Sequence, residues 1–301
     1  MSSTPSAIAP PMLPQPLPLA NRLRAALPGF RHVDWVERTG STNADLLLMA
    51  RNKEQPARPW LLGAHLQDSG RGRAGRTWQN RPGANLMFSC AFDVFLPARW
   101  LPALSPLAGV AACEALRSLL QPESRPLLSL KWPNDLQWKF SKLAGILVEA
   151  TRSGAIRQSA DHHVVIIGMG LNLHDARALS TSLNRLVADW AEILSCDEHA
   201  RGVQAHDIVV ALALAWSKAL AHVVRDGLSD FPRRYAAVDH LLGQHLQVVD
   251  GGRTLHSGIA DGVDEHGQLL VRTMQGIVPV SVGEVSVRPL PDDRGHTLAK
   301  S

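Results

Sequence analysis

The sequence predicts an α+β fold: a mixed or antiparallel sheet with helices on one side, followed by a small β-barrel. Three observations predict it. Apolar runs at 128–131, 136–140 and 142–149 follow one another through hairpin-like links, and a fourth lies at 164–169. Consecutive strands joined this way build an antiparallel or mixed sheet. The regular strand–helix alternation of a dinucleotide fold is missing, and Gly168-Met169-Gly170 opens no convincing helix. Beyond Gly243 the texture changes to short runs at 245–249, 253–260, 268–273 and 277–287. These are separated by Asp250-Gly251-Gly252, His266-Gly267 and Gln275-Gly276, the turn chemistry of a small barrel or sandwich.

The elements follow in order. Residues 1–20 hold six prolines and no charged side chain before Asn21, which predicts a disordered or polyproline-like tail. Residues 21–27 read as a short helix and 32–37 as a strand. Ser41 or Thr42 is a natural N-cap for a helix reaching about residue 53. Residues 60–66 and 85–94 read as buried strands. Ser105-Pro106 has the form of an N-cap followed by proline at the first helical position. Leu107, Val110, Ala111, Leu116 and Leu119 give that helix its apolar face, with Cys113 a buried thiol. Residues 181–240 read as helical, 205–224 most clearly. The domains expected are a loose tail at 1–20, a catalytic unit at 21–240, a barrel at 241–290 and a loose end at 291–301.

A chain of 301 residues is long enough for two cores, and 45% apolar with 19% charged residues is ordinary for a soluble protein. A net charge of +4 suits anionic small molecules without requiring nucleic acid. Three cysteines with no Cys-x-x-Cys spacing argue against a disulfide framework and for a reducing compartment. No apolar run approaches membrane-spanning length and no signal peptide is evident, so a cytoplasmic protein with no membrane partner is expected.

The chemistry gathers first in Gln67-Asp68-Ser69-Gly70-Arg71-Gly72-Arg73-Ala74-Gly75-Arg76-Thr77-Trp78. Glycines let backbone approach a ligand, and guanidiniums present permanent forks of donors to carboxylate or phosphate. Such a run also occurs in disordered nucleic-acid binders. Lys131-Trp132-Pro133-Asn134-Asp135 adds a cation, an aromatic face, an amide and a carboxylate. Lys142 opens an otherwise apolar strand, which sets its ammonium at the edge of a dry pocket. Each has a purely structural reading too: Asp135 fixing a turn, Trp132 in a core, Lys142 a solvated strand end.

Together with Gly40-Ser41-Thr42-Asn43, Lys142-Leu143-Ala144-Gly145-Ile146-Leu147 and Gly168-Met169-Gly170-Leu171-Asn172, these motifs resemble the bacterial biotin–protein ligases. The likeness is specific from Thr39 to Leu173 and weaker to Gly283-Glu284-Val285-Ser286-Val287-Arg288. It implies a class II synthetase-like biotin/lipoate ligase catalytic domain and an SH3-like C-terminal barrel. It implies that biotin and MgATP form biotinyl-5′-AMP, and that biotin passes to one lysine of the biotin carboxyl carrier protein of acetyl-CoA carboxylase. By the same resemblance Lys142 and Arg73 are catalytic, and Ser41, Thr42, Asn43, Gln67, Arg71, Gly72, Arg73 and Lys142 surround biotin. Arg71, Arg73, Arg76, Trp78, Lys131, Asn134, Asp135 and Asn172 serve the nucleotide, Trp78 covers adenine, backbone N–H groups of the loop form an anion nest, and Asp135 helps hold Mg2+.

Ala74 departs from the family, standing where many members have a further arginine. Some members begin with a DNA-binding winged helix. About 40 residues precede Ser41 here, fewer than the ~50 of a typical domain, so a form without the repressor module and without specific DNA binding is expected. Either a monomer or a homodimer is compatible with the sequence. The rivals are a lipoate or octanoyl transferase of the same fold and, remotely, a nucleic-acid-binding module.

Overall fold

The computed structural model describes residues 13–52, 56–152, 159–282 and 286–290. The proline-rich start through residue 12 and the tail after 290 lie outside the described residues.

Two long apolar runs set the centre of the molecule. Strands β1 (His32–Thr39), β2 (Trp60–Gln67) and β3 (Asn85–Phe95) precede the hairpin strands β4 (Leu128–Lys131) and β5 (Asp135–Trp138). Strands β6 (Ser141–Thr151) and β7 (His162–Asn172) complete a seven-stranded sheet of order β1-β2-β3-β7-β6-β5-β4. Only β1 and β2 run parallel; every other neighbour is antiparallel. β7 is buried at every residue and β3 at all but two, the signature of strands covered on both faces.

The covering differs between faces. Leu86, Phe88, Cys90, Val165 and Ile167 pack in the main core with helices α1 (Pro16–Ala26), α3 (Leu104–Ser118) and α6 (Ala205–Asp226). The intervening residues Ala91, Val164 and Ile166 meet Leu46 and Ala50 of α2 (Thr42–Arg51) in a separate cluster. The sequence expectation of helices on one side is therefore corrected. A continuous apolar strand cannot leave either face wet, and one helix reaches the second face. It covers only part of it, and the remainder, paved by Gly145, Gly168 and Gly170, floors a cavity.

Two local expectations also change. α1 starts at Pro16, so the tail does not extend to residue 20: prolines in a first turn lack only N–H groups that would have no partner there, and Leu19, Ala20 and Leu23 are fully buried. Ser105 is not a cap. A 3-10 turn over Ala98–Ala103 runs directly into α3, leaving the Ser105 hydroxyl buried without a partner. By contrast Ser41 does cap α2, accepting from the Ala44 N–H.

Three shorter helices, α4 (Ala176–Leu183), α5 (Trp190–Cys196) and α7 (Phe231–Ala236), flank α6. Contrary to the sequence expectation, α6 is long and apolar enough by composition to cross a membrane, but its buried face packs in the main core. Ile208, Leu212, Trp216 and Val223 are buried, and the Trp216 indole N–H donates to the Ala108 carbonyl.

The C-terminal unit is a five-stranded antiparallel sheet. Its strands are β8 (His245–Asp250), β9 (Arg253–Val263), β10 (Leu269–Thr273), β11 (Gly276–Val280) and β12 (Ser286–Pro289), in the order β11-β10-β9-β8-β12. The single strand expected at 277–287 is two, on opposite edges of the sheet. This unit is tied to the first: the segment at Asp239 bridges to Leu130 of β4, and the Trp132 indole donates to the Gly267 carbonyl at 3.0 Å.

That junction contains opposed titrations. Burial raises the Asp239 carboxyl to about 6, and one of its oxygens is buried without a hydrogen-bond partner. Burial, assisted by Lys131, lowers His240 to about 4. As pH rises from about 4 to about 6, Asp239 subtracts stability, because the folded state holds that proton more tightly than the unfolded chain. His240 acts oppositely, removing stability as pH falls from its ordinary value toward 4. Asp239→Asn is therefore expected to exceed wild type by on the order of 1–3 kcal/mol at pH 7. The advantage should shrink to nothing near pH 4, measured by denaturant unfolding across that range. A constant difference at every pH would refute the assignment.

Candidate functional site

The glycine-arginine loop leaves β2 as a miniature hairpin. Arg71 bridges Thr77, Gly72 N–H donates to the Arg76 carbonyl at 2.7 Å, and Trp78 N–H donates to the Gly70 carbonyl at 2.8 Å. Ala74 and Gly75 turn the tip in the left-handed region, with φ of 52° and 69°. A side chain on Gly70 would come within 2.8 Å of the Trp78 carbonyl, so this glycine is required by close packing. The N–H groups of residues 72, 76 and 78 are all engaged inside the loop. These three are not offered to an anion, and the loop's guanidiniums face the cavity beside them.

Each cation is held differently. Arg71 pairs with Glu149 at 2.9 Å, and Arg73 donates to the Asn134 amide oxygen at 3.3 Å. Burial is the main cause lowering the pKa of Arg73; Asp135 opposes it and Arg76 adds to it. A guanidinium so placed stays charged and is short of water, which favours an incoming anion. Lys142 Nζ lies 2.6 Å from Asp135 Oδ1 and 5.8 Å from the centre of the Trp78 ring. Its backbone is fixed on both sides: N–H to the Leu186 carbonyl, and carbonyl to the Ala188 N–H. Burial also lowers Lys131, with Asp135 opposing and Lys142, Arg185 and Arg288 adding to the shift.

The other end of the cavity is a neutral network. The Gln67 amide oxygen accepts from Thr42 N–H at 2.8 Å. The Thr42 and Ser89 hydroxyls lie 2.7 Å apart, and Ser89 donates to the Asn43 amide oxygen at 2.6 Å. Asn43 in turn donates to Glu149 at 2.9 Å, joining this network to Arg71. Between the two ends the Trp78 indole lies over Gly170, where an added Cβ would sit 2.3 Å from the ring. Its Nε1 is buried without a partner.

Except for Glu149 and Arg288, the side chains named above line one cavity of about 180 Å³. Every residue expected at the site lies on its wall except Asn172. That side chain is buried behind the wall, accepting from Asn85 at 3.0 Å and donating to the Ala188 and Lys142 carbonyls. The structure thus places Asn172 behind the wall and not on it, where it braces the backbone that carries Lys142. Sequence reading missed Ser89, Glu149 and Arg185. A lone serine within the apolar run of β3 was a usable signal for the first; nothing local distinguished the other two.

Residues 35–172 match the biotin/lipoate A/B protein ligase family, and residues 241–288 match the biotin protein ligase C-terminal domain. The biotin–[acetyl-CoA-carboxylase] ligase of Mycobacterium tuberculosis is 30% identical over 89% of this chain and 93% of its own length. The chain belongs to the biotin protein ligase family. The bifunctional ligase/repressor BirA of Escherichia coli is also 30% identical, over 75% of this chain. The chain spans 65% of the length of that relative. Among solved structures, the Aquifex aeolicus biotin protein ligase in complex with biotin and ATP shares the fold, with a TM-score of 0.66. It is 24% identical and covers 87% of this chain and 100% of its own. In this family member the two matched segments correspond to the seven-stranded and five-stranded units.

Proposed function

We propose that this chain is an ATP-dependent biotin–[biotin carboxyl-carrier protein] ligase. The observation that supports it best is the polarity of one cavity. Hydroxyl and amide groups of Thr42, Asn43, Gln67 and Ser89 gather at one end, and Arg73, Lys131 and Lys142 at the other. Biotin has that pattern, a ureido ring needing donors and acceptors and a valerate ending in an anion. A site built to hydrogen-bond such a ring rejects a dithiolane, which would leave the buried polar groups unpaired.

In the reaction so assigned, a biotin carboxylate oxygen attacks the α-phosphorus of ATP and pyrophosphate departs. The amine of a carrier lysine then attacks the acyl carbon, loses a proton, and AMP leaves. The chain supplies no covalent nucleophile. Lys142 and Arg73 offset the repulsion between carboxylate and phosphate, and they are held in place before the substrates arrive. Trp78 presents an aromatic face for the nucleotide base.

Among the described residues no group of three His, Cys, Asp or Glu side chains could hold a metal alone. That fits magnesium, which is commonly held by one or two carboxylates together with substrate phosphates and water. Asp135 is the carboxylate that would take part, and the ion would neutralise phosphate charge.

Incubation with biotin, MgATP and pyrophosphatase, followed by a biotin carboxyl carrier domain of acetyl-CoA carboxylase, tests this reading. The expected result is biotinyl-AMP and one labelled carrier lysine. Consumption of ATP with lipoate or octanoate in preference to biotin would overturn it.

A further inference from the structure

Arg185 belongs to none of the motifs that mark the site, yet its side chain lines the cavity. Its position follows from the end of α4. Asn184 closes that helix in the left-handed region at φ 47°, and Arg185 N–H donates to the Ser180 carbonyl at 3.3 Å. The Ser180 hydroxyl accepts from Val187 N–H at 3.0 Å, while Leu186 and Ala188 bond the backbone of Lys142 on either side. The backbone around Arg185 is thus fixed both to α4 and to the strand bearing Lys142.

The charge around it is unbalanced. Arg185 and Lys131 come from separate parts of the chain and line the same cavity, where each raises the positive field on the other. Asp135 is already taken by Lys142, and among the described residues Arg185 makes no ion pair. A carboxylate substrate alone does not call for this many cations beside Lys142 and Arg73; a polyphosphate does. Ala74 leaves the tip of the arginine loop without a charge at that position, and Arg185 brings one from a different segment.

We propose that Arg185 binds the β- and γ-phosphates of the nucleotide, the part released as pyrophosphate. This rests on the ligase reading for the identity of the nucleotide, while the affinity for polyphosphate can be measured without it. Arg185 is exposed, so its contribution is that of a solvent-screened, charge-assisted contact.

The test uses the full chain in two measurements on wild type, Arg185→Ala, Arg185→Lys and Arg185→Glu. One follows pyrophosphate release with biotin and varied MgATP, without carrier; the other follows binding of inorganic pyrophosphate by calorimetry. Arg185→Ala is expected to raise KM for ATP and Kd for pyrophosphate by roughly five- to tenfold. Arg185→Glu should raise both further, Arg185→Lys should recover most of the loss, and biotin affinity should hold in all three. Values within twofold of wild type for Arg185→Ala overturn the proposal, as does a defect confined to KM for the carrier protein, which would place Arg185 at a protein interface. Should wild type form no biotinyl-AMP yet bind pyrophosphate in an Arg185-dependent way, the ligase reading fails and the anion site stands.

Discussion

Lys142→Ala is expected to slow biotinyl-AMP formation by roughly 10²–10³-fold, the usual loss when one preorganised charged donor is removed from a transition state. The size follows from how firmly the group is placed. Its ammonium touches Asp135, its backbone is bonded to Leu186 and Ala188, and Asn172 supports that backbone from behind. Folding should be little affected, by under about 1 kcal/mol, because Arg73 and Lys131 still lie near the carboxylate that Lys142 leaves. Lys142→Arg is not expected to restore the rate, since a planar fork cannot occupy the place of a compact ammonium. Single-turnover measurement of the adenylate separates this from carrier transfer. A rate within a few-fold of wild type would remove Lys142 from the chemistry.

Gly168→Ala should damage the opposite end of the cavity. The added Cβ would fall 2.0 Å from Asn43 Oδ1 and 2.9 Å from Ser89 Oγ, so one methyl displaces two members of the polar network. Overpacking of this kind costs ~1–3 kcal/mol of stability. Losing buried hydrogen-bond partners for the ligand should weaken biotin by roughly 10–100-fold. Gly29→Ala, with nothing within 4 Å of the new methyl, serves as the control and should stay within ~0.5 kcal/mol of wild type. Calorimetry with biotin, alongside thermal unfolding, gives both readings. Wild-type biotin affinity in Gly168→Ala would show that the Asn43–Ser89 network does not face the ligand.

The two variants probe features of unequal legibility. Lys142 is visible in the chain as a cation opening an apolar run beside the Lys131 to Asp135 hairpin. Gly168 reads only as one glycine of Gly168-Met169-Gly170. Its importance comes from register: β3 and β7 align Ser89 opposite Gly168, and α2 sets Asn43 over both. The same limit explains the misplacement of Asn172. Gly168 and Gly170, earlier on the same strand, line the cavity, but the strand ends at Asn172 and its side chain bonds Asn85 and Ala188.

The amino-acid order alone determined the strands, the capped helix after Ser41 and the positions of the charged loops, because apolar period, turn residues and capping act over a few neighbours. Only the folded chain decided which strand face became a cavity floor, that Glu149 joins Arg71 to Asn43, that the N–H groups of residues 72, 76 and 78 are used within the loop, and that Arg185 lines the same cavity as Lys131. Those outcomes depend on the register of strands far apart in sequence and on helices competing for one sheet face, which no short stretch encodes.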